Sequence, residues 1–128
     1  MSEVTAESLQ ALFDAFNRHD IDGVMSIMAD DIVFEGAGGP EVYGTRFVGR
    51  EAVAAAFSKV WETLPDVQWR DTSHVVSGDL GVSKWTFTGT GADGKRIEAQ
   101  GVDLFKIRNG KIVLKQAFRK DRPLLPPK

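Results

Sequence analysis

The feature that most constrains the fold is a series of four strand-length segments joined by tight turns in the second half of the chain. The segments cover residues 67–76, 80–90, 97–107 and 112–120, and each is rich in β-branched and aromatic residues. The turns between them are Ser77-Gly78-Asp79, Ala92-Asp93-Gly94 and Asn109-Gly110. Asn-Gly is the strongest short hairpin signal. The pattern predicts an antiparallel meander, which must curl because twisted sheets do not stay flat.

The first half of the chain predicts helices. Leu9, Leu12, Phe13 and Phe16 follow the spacing of one helix face, and Thr5 is suited to cap that helix. Asp20 is the expected cap of a second, short helix whose apolar stripe runs as far as Met28. Residues 32–34 then predict a strand.

The middle of the chain predicts a loop and a third helix. Residues 36–49 are rich in glycine and contain Pro40, which favours a loop carrying a short hairpin. The third helix is expected over residues 50–63 and ends before Pro65. Three helices with apolar faces have one sheet against which to bury them. We therefore predict an α+β fold, with a curved antiparallel meander sheet wrapped around three helices as a cone. An internal pocket is left if the helices do not fill the concave face.

The 128 residues are enough for one domain. We expect it to cover residues 1–122, followed by a Pro-rich tail over 123–128. A formal charge of −2 gives no basis for binding nucleic acid. No segment approaches the ~20 apolar residues that would cross a membrane, and no secretory signal is recognisable. The chain has no cysteine, which fits a reducing compartment, so a cytoplasmic location is expected.

Four stretches resemble one family in order along the chain. They are Met-Ala-Asp-Asp-Ile-Val-Phe from residue 28, Phe-Val-Gly-Arg-Glu-Ala-Val from residue 47, Val-Ser-Lys-Trp-Thr-Phe-Thr-Gly-Thr from residue 82, and Gly-Val-Asp-Leu-Phe-Lys-Ile-Arg-Asn-Gly-Lys-Ile from residue 101. Together they resemble the SnoaL-like branch of the nuclear-transport-factor-2-like superfamily. The resemblance implies the cone fold and a homodimer formed through the outer sheet face. It leaves the reaction open, because this superfamily includes isomerases, cyclases, hydrolases, dehydratases and non-catalytic binding proteins.

Asp103 is the strongest candidate for chemistry. Strand alternation places it on one face with Gly101 and Phe105, among small and apolar neighbours. By resemblance it matches the aspartic acid that ketosteroid isomerases keep protonated in an oxyanion hole. Desolvation is expected to raise its pKa and make it a hydrogen-bond donor or general acid. The alternative is a structural carboxyl tied to a backbone group or a neighbouring strand.

The resemblance to ketosteroid isomerases fails at two other positions. Their catalytic base corresponds to Gly36 and their oxyanion-hole tyrosine to a position near Leu12, and neither residue here can do that chemistry. Glu35 is adjacent to the base position but is expected to face the other way. Steroid isomerisation by the known machinery is therefore not predicted.

Three further polar candidates lie on neighbouring strands. His74 is expected on one face with Arg70 and Thr72, either as an acid–base partner of Asp103 or as a polar residue of the sheet surface. Gln116 and Phe118 are predicted beside the Asp103 face, although an amide at position 116 cannot act as a base. The same alternation places Arg119 on the opposite face, in a dimer contact or in solvent.

Aromatic residues complete the candidate site. Phe34, Trp61, Trp85, Phe105 and Tyr43 are predicted either to line an apolar ligand cavity or to form ordinary core, with Tyr43 in a loop over the pocket mouth. No cofactor or metal is predicted, because two isolated histidines make no ligand set and Gly36 to Pro40 is not a phosphate loop.

Two functions follow from these residues. One is binding of a small, largely apolar molecule with acid–base chemistry at Asp103 and a role for His74. The other is a non-catalytic module that uses the same cavity for a ligand or a partner protein. A homodimer is expected through Val75, Val102, Leu104 and Val113, which alternate with inward-facing residues on the strands.

Overall fold

The computed structural model describes residues 3–128, and the predicted order of helices and strands is confirmed there. The elements are α1 (Ala6–Asn17), α2 (Ile21–Met25), β1 (Met28–Glu35), β2 (Arg46–Val48), α3 (Arg50–Thr63), β3 (Gln68–Ser77), β4 (Leu80–Thr90), β5 (Arg96–Arg108) and β6 (Lys111–Arg119). Residues 36–45 form the expected loop, which contains an isolated bridge between Glu41 and Gly44, and β2 pairs with β1, which precedes the loop, rather than with a strand inside it.

The strands form a single curved, open sheet in the order β2-β1-β6-β5-β4-β3. Strands β3 to β6 form the predicted antiparallel meander. β1 lies parallel to β6, so the first strand joins the sheet beside the last one. α1 packs on β3 and α3 on β1 and β2, while α2 contacts both other helices. The α+β class and the curved sheet around three helices are confirmed.

Helix α1 begins and buries the side chains that its sequence predicts. The Thr5 hydroxyl accepts a hydrogen bond from the backbone N–H of Ser8 at 3.1 Å, and Ser8 Oγ accepts one from the Thr5 N–H. This reciprocal cap satisfies two N–H groups at the helix start. The buried stripe of the helix consists of Leu9, Leu12, Phe13, Ala15 and Phe16.

Helix α2 is shorter than its apolar stripe predicts. It ends at Met25, and Met28 begins β1 by pairing with Ile112 of β6. The Arg50 guanidinium donates to the carbonyl oxygens of Met25 at 3.1 Å and Met28 at 2.6 Å. The helix-length prediction was wrong because pairing with β6 gives the backbone around Met28 more partners than another helical turn would.

A bulge in β3 changes which residues face the helices. The register shifts between Arg70 and Ser73, and Asp71 has a φ of 53°. Trp69 therefore pairs with Phe87 and His74 with Ser83, both on the inner face, although the two residues are five positions apart and regular alternation would place them on opposite faces. The predicted common face of Arg70 and His74 was wrong, because Arg70 precedes the bulge and is exposed on the outer face.

The C-terminal tail is attached to the sheet. Leu125 and Arg96 exchange two backbone hydrogen bonds of 2.8 and 3.0 Å, and the Arg96 side chain donates to the carbonyl of Pro126. The division at residue 122 stays a prediction. Across residues 3–128, no helix has the length and apolar character needed to cross a bilayer.

Candidate functional site

Asp103 lies fully buried in the middle of β5. Its exposed fraction is 0%, and Gly101 and Phe105 share its face as predicted. Directly across the sheet it pairs with Ser83 on β4 and Ala117 on β6. The sequence expectation of an acid among small and apolar neighbours is confirmed.

Two side chains hold the Asp103 carboxylate. The Trp85 indole N–H donates to Oδ2 at 3.0 Å, and the Lys115 ammonium donates to Oδ1 at 3.3 Å. Burial raises the pKa of Asp103, while the Lys115 charge and the two hydrogen bonds oppose that rise. We call Asp103, Lys115 and Trp85 the buried triad.

Lys115 is almost fully buried as well, with an exposed fraction of 5%. Its ammonium lies 4.6 Å from the ring centroid of Phe34 and 5.4 Å from those of Phe16 and Phe57. Aromatic faces attract a cation, most strongly where water is excluded. The charge is therefore stabilised by one carboxylate and three rings. Sequence reasoning missed Lys115 because it assigned this strand to the wrong register.

A bulge at Val113 explains this error. A regular hairpin on Asn109-Gly110 would place Gln116 opposite Asp103, but the register shifts after the Ile107–Ile112 pair, so that Lys106 pairs with Leu114. One extra residue moves every later side chain of β6 to the other face.

The placement of three predicted residues was wrong for this reason. Gln116 pairs with Leu104 and Phe118 with Val102, so both lie on the outer face, where Phe118 is 51% exposed. Arg119 pairs with Gly101 on the inner face instead, and its guanidinium lies 4.8 Å from the Phe87 ring centroid.

His74 does not form the predicted couple with Asp103. Its Nδ1 lies 2.7 Å from Ser83 Oγ and its Nε2 2.9 Å from Gln10 Oε1. The Gln10 oxygen can only accept, so Nε2 carries the proton, and Nδ1 of the neutral ring accepts from Ser83. Burial lowers the pKa of His74, and the Asp14 charge opposes this. Ser83, which the sequence did not single out, separates the histidine from Asp103.

Glu35 belongs to a second polar cluster, on the outer side of the sheet. It is 6% exposed, accepts from Arg46 Nε at 2.8 Å and from the Gln116 amide at 2.8 Å, and faces away from Phe34 as predicted. The Gln116 hydrogen bond and the Arg46 charge lower the pKa of Glu35. Arg46 also stacks on Tyr43 at 3.6 Å. Gln116 thus has a structural partner, and Tyr43 is placed at the rim of the cone.

The other predicted aromatic residues pack in or beside the core. Trp85 and Phe105 are 3% and 0% exposed, and Phe34 is half-buried against Phe57. Trp61 donates to the carbonyl of Phe16 at 3.1 Å and stacks on His19. Since Asp103 has no exposed surface, side chains occupy the space beside it, and the internal pocket stays a prediction.

Two cavities open instead at the rim of the cone, at the end of β6. Their volumes are about 310 and 320 Å³, and Ala37 and Arg119 line both. No group of three or more histidine, aspartate or glutamate residues between positions 3 and 128 is arranged to hold a metal ion.

The curved sheet, the three helices and the acid on the concave face define a cone of the nuclear-transport-factor-2-like class. A family model for the SnoaL-like domain matches residues 9–115. The chain belongs to the SnoaL-like domain family.

Solved structures share the fold of this chain. A nuclear-transport-factor-2-like protein of unknown function from Mesorhizobium loti is 28% identical, with a TM-score of 0.74 and coverage of 91% of this chain and 90% of that one. A protein of unknown function with a cystatin-like fold from Xanthomonas campestris is 23% identical, with a TM-score of 0.78 and coverage of 90% and 89%.

A third structure contains a ligand. It is a protein with a ketosteroid isomerase-like fold from Catenulispora acidiphila in complex with trimethylamine, 16% identical, with a TM-score of 0.77 and coverage of 90% of this chain and 86% of that one. No curated protein sequence matches the chain.

Proposed function

We propose that this protein binds a small, largely apolar molecule inside the cone, between the concave face of the sheet and helices α1 and α3. The Asp103 carboxyl is the polar contact at the floor of the site. Phe34, Trp85 and Phe105 surround the ligand, and Tyr43 lies at the entrance.

The buried triad is the observation that carries this proposal. An ion pair taken out of water contributes little net stability, and apolar side chains of similar volume would serve a core at least as well. A charged pair under three aromatic rings is therefore more useful for recognising a polar group on an apolar molecule. The trimethylamine complex of the Catenulispora acidiphila protein supports a small-molecule site on this fold.

Access to Asp103 requires movement of side chains. Lys115 is the element best suited to move, because its long, unbranched stem has several rotatable bonds and its ammonium is held by one hydrogen bond of 3.3 Å. A ligand that donates a hydrogen bond to Asp103 would replace the ammonium there.

Binding is tested with a panel of one- and two-ring aromatic compounds, by quenching of tryptophan fluorescence and by the shift in thermal unfolding. Because Trp85 touches Asp103, a bound compound is expected to change the emission of the protein. Asp103→Asn should weaken binding, whereas Glu62→Gln, an exposed residue of α3, should leave it unchanged. If no compound alters either signal, the proposal is wrong.

Acid–base chemistry at Asp103 is the second candidate function. The raised pKa of this buried carboxyl favours it, since a higher pKa makes the protonated form, which can donate to a developing oxyanion, easier to reach. His74 has no part in this route, because its ring nitrogens are bonded to Ser83 and Gln10. The pH titration of the Asp103 carboxyl carbon by NMR tests this route, and a carboxylate that stays ionised at acidic pH would argue for binding alone.

The proposal includes a homodimer and a cytoplasmic location. The outer sheet face carries exposed apolar side chains, with Val75 65% and Phe118 51% exposed. Exposed apolar side chains on one sheet face are typical of protein contacts. The absence of cysteine fits a reducing compartment.

A further inference from the structure

The two rim cavities share Ala37 and Arg119 in their linings, and we call them together the rim notch. One side is lined by Ile97, Ala99 and the start of the tail, and the other by Tyr43, Ala117 and Phe118. β1 ends at Glu35 opposite Gln116, so no strand formed by residues 3–128 pairs with β6 beyond that point on this side. The notch is thus a gap that the strand order itself leaves open.

Arg119 is the cation best placed to meet a ligand there. Four ion pairs occur among residues 3–128, and they engage Arg18, Arg46, Arg108 and Lys115 with carboxylates. None involves Arg119. The Phe87 ring lies 4.8 Å from its guanidinium, and Arg119 lines both cavities of the notch.

The charges around the notch favour an anion. Lys120 and Arg122 line it together with Arg119, against Glu98 and Asp121. Glu35 also borders it, but Arg46 already neutralises that carboxylate at 2.7 Å. Apart from Gln116, the remaining side chains of the lining are apolar or aromatic. A planar guanidinium next to such a wall matches a carboxylate attached to a flat hydrocarbon body.

We infer that Arg119 binds the carboxylate of a small aromatic or otherwise apolar acid whose body extends from the rim notch toward the interior of the cone. This inference rests on the proposed function, because it names the chemical class of the same ligand. It adds a recognition residue at the rim to the acid at the floor.

Two isosteric probes, 2-naphthoate and 2-naphthamide, test the charge requirement by isothermal titration calorimetry. They share one ring system and differ in the anionic group. We expect the acid to bind about tenfold more tightly than the amide, the size of one charge-assisted hydrogen-bonded pair. Arg119→Gln should abolish this preference, and Arg119→Lys should keep part of it.

Arg70→Gln is the matched control, since it removes the same charge from an exposed residue outside the notch and should keep the preference. Thermal unfolding of each variant establishes that it folds. Equal binding of acid and amide, or a preference that survives Arg119→Gln, would overturn the inference and leave the proposed function standing. If neither probe binds the wild-type protein, both proposals are contradicted for two-ring ligands.

Discussion

Trp85 lies directly across from Gly101 in the β4–β5 pair, and its indole ring covers the α-carbon of that glycine. A Cβ at position 101 would lie 2.5 Å from Trp85 Cη2 and would also collide with the carbonyl oxygen of Phe118. The glycine thus allows the ring to reach Asp103. Gly101→Ala should lower the free energy of unfolding by about 2–3 kcal/mol, because neither neighbour can move freely.

Gly38→Ala provides the comparison in the same urea titrations. A Cβ there meets no atom within 4 Å, so its effect should stay within about 0.5 kcal/mol. Similar effects of the two substitutions would contradict the packing of Trp85 on Gly101.

Replacing only one member of the Lys115–Asp103 ion pair should destabilise the protein more than replacing both. Lys115→Met leaves the buried Asp103 without its counter-charge and should cost about 3–5 kcal/mol at neutral pH. The carboxyl can escape by taking up a proton, so the folded pKa lies above the unfolded value. The cost should therefore be smaller at pH 5 than at pH 8.

Adding Asp103→Asn to Lys115→Met removes the unpaired charge and should recover much of the loss. Lys106→Met, an exposed lysine on β5, should change stability by less than about 0.5 kcal/mol. If the Lys115→Met protein is as stable as the Lys106→Met protein, the Lys115–Asp103 ion pair does not affect the free energy of unfolding.

His74 should make the protein less stable as the pH becomes more acidic. Its folded pKa is below the ordinary histidine value of about 6.5, so the unfolded chain binds the extra proton first. The contribution of His74 to stability is fully present above the ordinary histidine pKa and is lost as the pH drops through the lower pKa of the folded state. Denaturation titrations between pH 7.5 and 5 should show this fall in the wild-type protein.

His74→Gln should remove this component of the fall, while His19→Gln should leave it in place. The same fall in the His74→Gln protein would mean that another group causes it.

The proposed dimer makes a prediction about the outer face. Phe118→Lys should shift the protein toward monomer in sedimentation velocity at micromolar concentration, because a charge would replace an exposed aromatic ring in the contact. Val42→Lys alters a fully exposed loop residue and should leave the sedimentation coefficient unchanged. A wild-type protein that sediments as a strict monomer would contradict the dimer.

The sequence predicted the elements of this fold well because local signals specify them. The Asn109-Gly110 turn, the Thr5 cap and the helix before Pro65 each depend on residues close together in the chain. The length of α2 was predicted poorly, since the distant strand β6 decides where that helix ends.

The candidate site was predicted in part. The position of Asp103 and its burial follow from alternation within one strand. Its actual partners, Lys115 and Trp85, come from two neighbouring strands, and the predicted partner His74 is bonded to Ser83 and Gln10 instead.

What the sequence by itself determined is the class of the fold, the meander and the presence of one acid on its concave face. Only the tertiary structure decided which cation meets that acid and which arginine faces the rim. The physical reason is the pair of bulges at Asp71 and Val113. One inserted residue moves every later side chain of the strand to the opposite face of the sheet. Simple alternation along a single strand cannot predict this reversal.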